Sequence, residues 1–172
     1  MGRKIVITLM VIVCFVLQST VMQWISLGNV GPNLLIIITS AYGFMRGKKS
    51  GLLVGFFSGL LTDIFFGEVI GFYAVIYMYI GYGNGLFHKI FFPEDIKLPL
   101  FLIIVSDFLY GMTVYALTYL LRGRFEVVFY LQNIIVPELI YTIIVTFIFY
   151  PINLKLMHRF DEIEKRREKK FV

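Results

Sequence analysis

Five polar residues stand in apolar surroundings and are the candidates for chemistry in this sequence: Gln18, Asn33, Asp63, Asp107 and Glu138. A carboxyl in such a place can bind a cation, relay a proton or hydrogen-bond to a neighbouring helix. No Lys or Arg stands inside the same apolar runs to neutralise it. Asp107 has only hydroxyl neighbours at helical spacing, Ser106 beside it and Tyr110 three residues on. Without a cation it is expected to hold its proton. Two uses stay open for it: a proton or cation relay, or a neutral acid bonded to a Tyr or Thr of another helix. Glu138 follows Pro137, whose missing N–H frees a carbonyl one turn back. Gln18, Asn33, Asp63 and Glu138 are all expected in the outer half of the membrane, as one polar pocket open to the outside for a partner segment, lipid head group or solute, or as hydrogen-bonding glue between helices. No G-x-S-x-G, P-loop, dinucleotide fingerprint or H-E-x-x-H occurs. His88 and His158 adjoin Lys89 and Arg159, which disfavours a metal site, and Cys14 reads as a small packing residue. The expectation is a protein without catalytic residues, metal or cofactor.

What must position these residues follows from composition. Of the 172 residues 59% are hydrophobic and 16% charged, with a mean hydropathy of +0.83, outside the range of soluble globular domains. An aromatic content of 17% excludes a disordered chain, and a lone Cys excludes a disulfide scaffold. An all-α membrane protein remains. A span needs about 20 apolar residues, and six runs can be read, at about 5–25, 33–45, 51–66, 70–87, 98–121 and 131–154. They make one transmembrane domain, 1–154, followed by a charged cytoplasmic tail, 155–172. The second and third runs are short. Folding them into a re-entrant hairpin would place Arg46, Lys48 and Lys49 at mid-membrane, at about 2.5–3.5 kcal/mol each, so two spans are expected.

With both termini cytoplasmic, fourteen of the sixteen basic residues fall on the inner side and only Arg122 and Arg124 outside. The first run is too long for a cleaved signal peptide and no small-x-small site follows it. Because the bases serve as topology signals, the net charge of +5 does not indicate a nucleic-acid partner. Gly51, Gly55 and Gly59 recur every four residues and let another backbone come close, within the bundle or between copies. Gly67 and Gly71 bracket a tight turn, and Gly81, Gly83 and Gly85 mark a break or a packing face. In the tail, Asp161–Lys165 and Glu162–Arg166 are i,i+4 pairs, and Leu156, Phe160, Ile163 and Phe171 lie near one face. Its basic excess suits anionic inner-leaflet lipids or a partner helix.

Several motifs, in order, resemble the bacterial rod shape-determining protein MreD family. They are Gln18-Ser19-Thr20, Gly31-Pro32-Asn33-Leu34-Leu35, Arg46-Gly47, the run from Gly51 through Gly55, Gly59, Leu60, Leu61 and Asp63 to Gly67 and Gly71, and Pro137-Glu138. The resemblance covers about residues 5–155. It implies a multi-pass, non-enzymatic inner-membrane component of cell elongation, working with the bitopic protein MreC, the MreB cytoskeleton and the peptidoglycan synthases. It also implies a six-helix fold similar to the S components of energy-coupling-factor transporters. A solute-binding transporter subunit is the alternative function, although the first run lacks the small-xxx-small face that such subunits use for docking. A lipid-modifying enzyme would need a constellation that the sequence does not show.

Overall fold

A computed structural model describes residues 2–25, 30–90, 96–120, 123 and 126–168, and the side chains of these except 2–4, 23, 25, 157, 158 and 160–168. Arg122, Arg124, the side chains of Arg3, Lys4 and His158, and the pairs and apolar face expected in the tail beyond Arg159 therefore lie outside what is described. The chain is helical throughout its regular elements: α1 Gly2–Ser19, α2 Val21–Ile25, α3 Leu34–Arg46, α4 Lys48–Phe66, α5 Phe72–Leu86, a 3-10 turn Phe87–Ile90, α6 Lys97–Thr118, α7 Val127–Tyr130, a π-helical turn Leu131–Ile135, and α8 Val136–Glu168.

The helix ends have local causes. Asn33 caps α3, its Oδ1 accepting from the Ile36 N–H at 3.1 Å. Gly47 alone joins α3 to α4 and does so at φ +87°. Pro99 lies in the first turn of α6, where its missing N–H costs nothing. Pro137 lies in the first turn of α8, directly after the π turn, whose wider winding accommodates the bond that proline cannot make. α8 then continues past residue 154 without a break, so the start of the expected tail is a prolongation of this helix.

Packing is built around α3. All its residues from Leu34 to Met45 are buried, and α1, α4, α5, α6 and α8 all touch it. A helix apolar on every side belongs in the middle. At 13 residues it is short, but a helix enclosed by others does not have to meet lipid along its own length. Against it α4 and α5 lie antiparallel and unusually close. A Cβ on Gly51 would strike the Gly81 carbonyl oxygen, one on Gly55 the Tyr77 carbonyl oxygen, and one on Gly59 would come within 2.6 Å of the Ala74 nitrogen. The four-residue glycine repeat is thus used inside the bundle. α5 runs unbroken through Gly81, Gly83 and Gly85; Gly81 and Gly85 face α4 and its leading turn, while a Cβ on Gly83 would meet nothing within 4 Å.

Polar side chains share the interior with the apolar core, while large apolar side chains cover the outside. Asn33, Thr39, Ser40, Ser58, Asp63, Asn84, Ser106, Asp107, Thr142, Thr146 and Asn153 are buried, whereas Leu53, Phe57, Phe101, Leu109, Ile144 and Phe147 are more than half exposed. That inversion is stable only against hydrocarbon. Lys48–Phe66, Lys97–Thr118 and Val127–Leu156 are long and apolar enough to cross a membrane, and Ile5–Ser19 and Leu34–Arg46 are shorter apolar helices. Two apolar grooves of about 550 Å³ each open on the outer surface. One lies between α1 and α4, along Ile7, Val11, Leu53, Val54 and Phe57. The other lies between α5 and α6, along Val75, Tyr79, Gly83, Val105 and Leu109.

Candidate functional site

Asn33 is the centre of the polar cluster because, as the α3 cap, its side chain and backbone N–H reach both α5 and α8. Its Oδ1, which already takes the Ile36 N–H, also accepts from the Tyr77 hydroxyl of α5 at 3.0 Å. Its Nδ2 donates to Glu138 Oε1 at 3.2 Å, and its backbone N–H to Thr142 Oγ1 at 3.1 Å, both on α8. Gln18 of α1 joins beside it, with Oε1 accepting from the Leu35 N–H at 3.0 Å. The cluster therefore ties α1, α3, α5 and α8 together at the N-terminal end of α3. Tyr73, Tyr77 and Tyr110 pack alongside with tilted rings, the centroids 5.1 Å apart for Tyr77–Tyr110 and 6.3 Å for Tyr73–Tyr110.

Asp63 is buried but does a different job. Its Oδ2 accepts from the N–H groups of Gly71 and Ala74 at 2.9 and 3.0 Å, and its Oδ1 from Tyr73 N–H at 2.8 Å. The carboxyl at the end of α4 thus caps the start of α5, which Gly71, at φ +102°, brings back to its level. The four residues expected to share a pocket divide accordingly: Gln18, Asn33 and Glu138 surround the start of α3, and Asp63 closes the α4–α5 turn. Asp63→Ala would leave three N–H groups of a buried helix start unpaired. It is expected to destabilise the fold by about 2 kcal/mol. Thermal unfolding of purified protein in nanodiscs should register the loss, and a melting curve superimposable on that of the wild type would contradict this role.

Asp107 sits in the middle of α6 at 2% exposure. The Thr142 hydroxyl lies beside its carboxyl, yet neither oxygen completes a hydrogen bond. Its neighbour Ser106 belongs to a second polar group. There Asn84 Nδ2 donates to Ser106 Oγ at 2.7 Å, to the Ile80 carbonyl at 2.9 Å and to Ser40 Oγ at 3.3 Å. Tyr77, Thr142 and Asn84 were not among the candidates read from the sequence. Only Thr142 had a visible signal, one turn beyond Glu138 on the same face. Cys14 is packed in the core with Val11 and Phe15. His88 is exposed and its Nδ1 lies 2.9 Å from the Phe44 carbonyl, which can only accept, so Nδ1 carries the proton. Among the described residues no group of three or more His, Cys, Asp or Glu gathers as a metal site would require.

A helical bundle with a hydrogen-bonded polar interior and an apolar exterior is an all-α membrane protein. Over residues 1–160 the chain matches the family model described as rod shape-determining protein MreD, and it belongs to that family. No curated protein and no solved structure matches it.

Proposed function

We propose that this chain is a non-enzymatic scaffold of the cell-elongation machinery, supporting rod shape and lateral peptidoglycan synthesis through an MreC-like bitopic partner. The observation that carries the reading is membership of the rod shape-determining family across nearly the whole chain. In this reading all six apolar stretches cross the bacterial inner membrane, in an arrangement similar to that of S components, and both termini are cytoplasmic. The distribution of Lys and Arg supports that orientation.

The geometry favours a scaffold over a solute carrier for a physical reason. Gln18, Asn33 and Asp63 already use their side chains to hold helices to one another. A solute taking those groups would have to break the bonds that close the bundle. The surface free for a partner is the apolar skin, where the α1–α4 and α5–α6 grooves present apolar walls to a transmembrane helix. The cytoplasmic end of α8 lies at the leaflet, near anionic lipids, and MreB and the synthases connect directly or through the partner. Depleting the protein in a rod-shaped host is expected to widen and round the cells, with lateral wall synthesis lost. Rods of unchanged width after depletion would overturn the proposal.

A further inference from the structure

The first acid in the chain is Asp63, at the far end of α4, yet five bases precede it: Arg3, Lys4, Arg46, Lys48 and Lys49. Gln18 meets the start of α3 and Met10 meets Tyr42 further along, so α1 and α3 are antiparallel. The start of α1, the end of α3 and the start of α4 therefore bring bases and no acid to one end of the bundle. Lys48 turns to α5, its Nζ 5.7 Å from the centroid of the Tyr82 ring. Lys49 is exposed and stands one turn before Leu53, on the side of α4 that lines the α1–α4 groove. Gly47 gives α4 no side-chain cap, and a helix start favours an anion. The polar residues of the groove, Thr8 and Ser50, are at this basic end. Val11 and Val54, each 3% exposed, make its floor, and Leu53 and Phe57 its rim. At the other end α1 and α4 close on one another, with Phe15 packed on Phe65 and Phe66 at 5.1 and 5.9 Å between centroids. Along α4 the lining runs from Ser50 to Ile64, about 21 Å of helix. One leaflet with its head groups measures about 20–22 Å.

We propose that the α1–α4 groove is a binding site for one anionic phospholipid, with its phosphate beside Lys49 and the start of α4 and one acyl chain along the groove floor. Any furrow that faces hydrocarbon is filled by some lipid chain. Selectivity comes from joining an apolar furrow one leaflet long to a mouth that carries bases. A zwitterionic lipid brings its own ammonium to that mouth and gains less, whereas each base near an anionic head group strengthens binding by about fivefold. A transmembrane helix would need a seat through about 30 Å of hydrocarbon, and the contact of Phe15 with Phe65 and Phe66 interrupts this one. The lipid therefore takes this groove and leaves the one between α5 and α6 to a partner helix. Because the lipid touches both walls, its binding stiffens α1 against α4. The inference rests on the reading above only in naming the leaflet, the inner one.

The test titrates the full chain in detergent micelles with phosphatidylglycerol or with phosphatidylcholine of the same acyl chains. Native mass spectrometry counts the lipid retained, and thermal unfolding follows its effect on the fold. About one phosphatidylglycerol per chain is expected to be held, at least about fivefold more tightly than phosphatidylcholine, and to raise the melting temperature further. Lys49→Glu is expected to abolish that preference. Leu53→Trp adds bulk at a rim position that is 54% exposed, so it narrows the groove without entering the core, and is expected to weaken phosphatidylglycerol binding by at least about tenfold. A phosphatidylglycerol with a photoreactive group on its acyl chain is expected to label α1 and α4. Equal retention of the two lipids by the wild type overturns the proposal whether or not the variants fold, and so does labelling confined to other helices. Unchanged phosphatidylglycerol binding by a folded Leu53→Trp protein overturns it equally. A second copy seated in the groove would show as a dimer that Leu53→Trp disperses, and that result also overturns it. None of these outcomes bears on cell width after depletion, so the scaffold reading is judged separately.

Discussion

Gly55→Leu is expected to prevent accumulation of folded protein in the membrane. The Cβ alone would collide with the Tyr77 carbonyl group and come within 3.1 Å of the Met78 Cα. These are backbone atoms of α5, so no side-chain rotation relieves them. Gly51 and Gly59 pin the same two helices one turn to either side, so α5 cannot tilt away locally. Extra methylenes forced into a packed interior typically cost about 1–3 kcal/mol where neighbours can yield. Here they cannot, and parting the helices would also withdraw Tyr77 from Asn33. Gly55→Ala adds that Cβ and nothing more, and is expected to cost at least about 3 kcal/mol, the upper end of that range. Gly83→Ala is the control in α5: its Cβ would meet nothing, and removing a helical glycine should be neutral or stabilising by about 0.5–1 kcal/mol. Membrane-fraction yield and thermal unfolding of the three variants measure this, and a Gly55→Leu protein with wild-type yield and melting would refute the packing account.

The glycine repeat shows where sequence reasoning succeeds and where it stops. A small residue every fourth position announces a close helix contact by itself, but the identity of the other helix depends on matching surfaces. Gly81 and Gly85 were the reciprocal signal, spaced four apart on the next run, yet a break was an equally open reading of them. Helix positions were legible because apolar runs of this length have little alternative in hydrocarbon. That the shortest run is the central one was less so. Hydropathy counts apolar residues without saying what they face, although five consecutive aliphatic residues, Leu34 to Ile38, left α3 no polar side. Depth estimated at 1.5 Å per residue grouped Asp63 with Asn33 and Glu138. It could not say that Asp63 would be taken by backbone N–H groups, because those belong to a turn whose path is set by Gly71. Asp107 was conspicuous as a mid-run acid. Its neighbour across the bundle, Thr142, comes from a register between α6 and α8 that no local pattern encodes.

Asn33→Ala is expected to lower stability by about 2–4 kcal/mol while leaving the helices themselves formed. Three side-chain bonds disappear at once, and their former partners are poorly placed to find others. Tyr77 is fully enclosed, Glu138 loses its amide donor, and the Ile36 N–H at the start of α3 loses its cap. A hydrogen bond between membrane helices is worth only about 0.6 kcal/mol on average, because the separated helices also find partners. Simple addition therefore gives the lower end of the range, and the stranded Tyr77 and Glu138 groups supply the rest. A double-mutant cycle separates the two contributions. Tyr77→Phe alone removes the bond to Asn33 and the one shared with Tyr110, and is expected to cost about 1–2 kcal/mol. In the Asn33→Ala background the Tyr77 hydroxyl keeps only its bond with Tyr110, so the same change should cost less than it does in the wild type. Strict additivity in the melting of the two single variants and the double variant would mean that Asn33 and Tyr77 act independently, and the junction of α1, α3, α5 and α8 would then need another explanation. A positive coupling of the expected size would show that the polar interior, more than the apolar contacts that lipid could equally supply, fixes which helices stand next to one another.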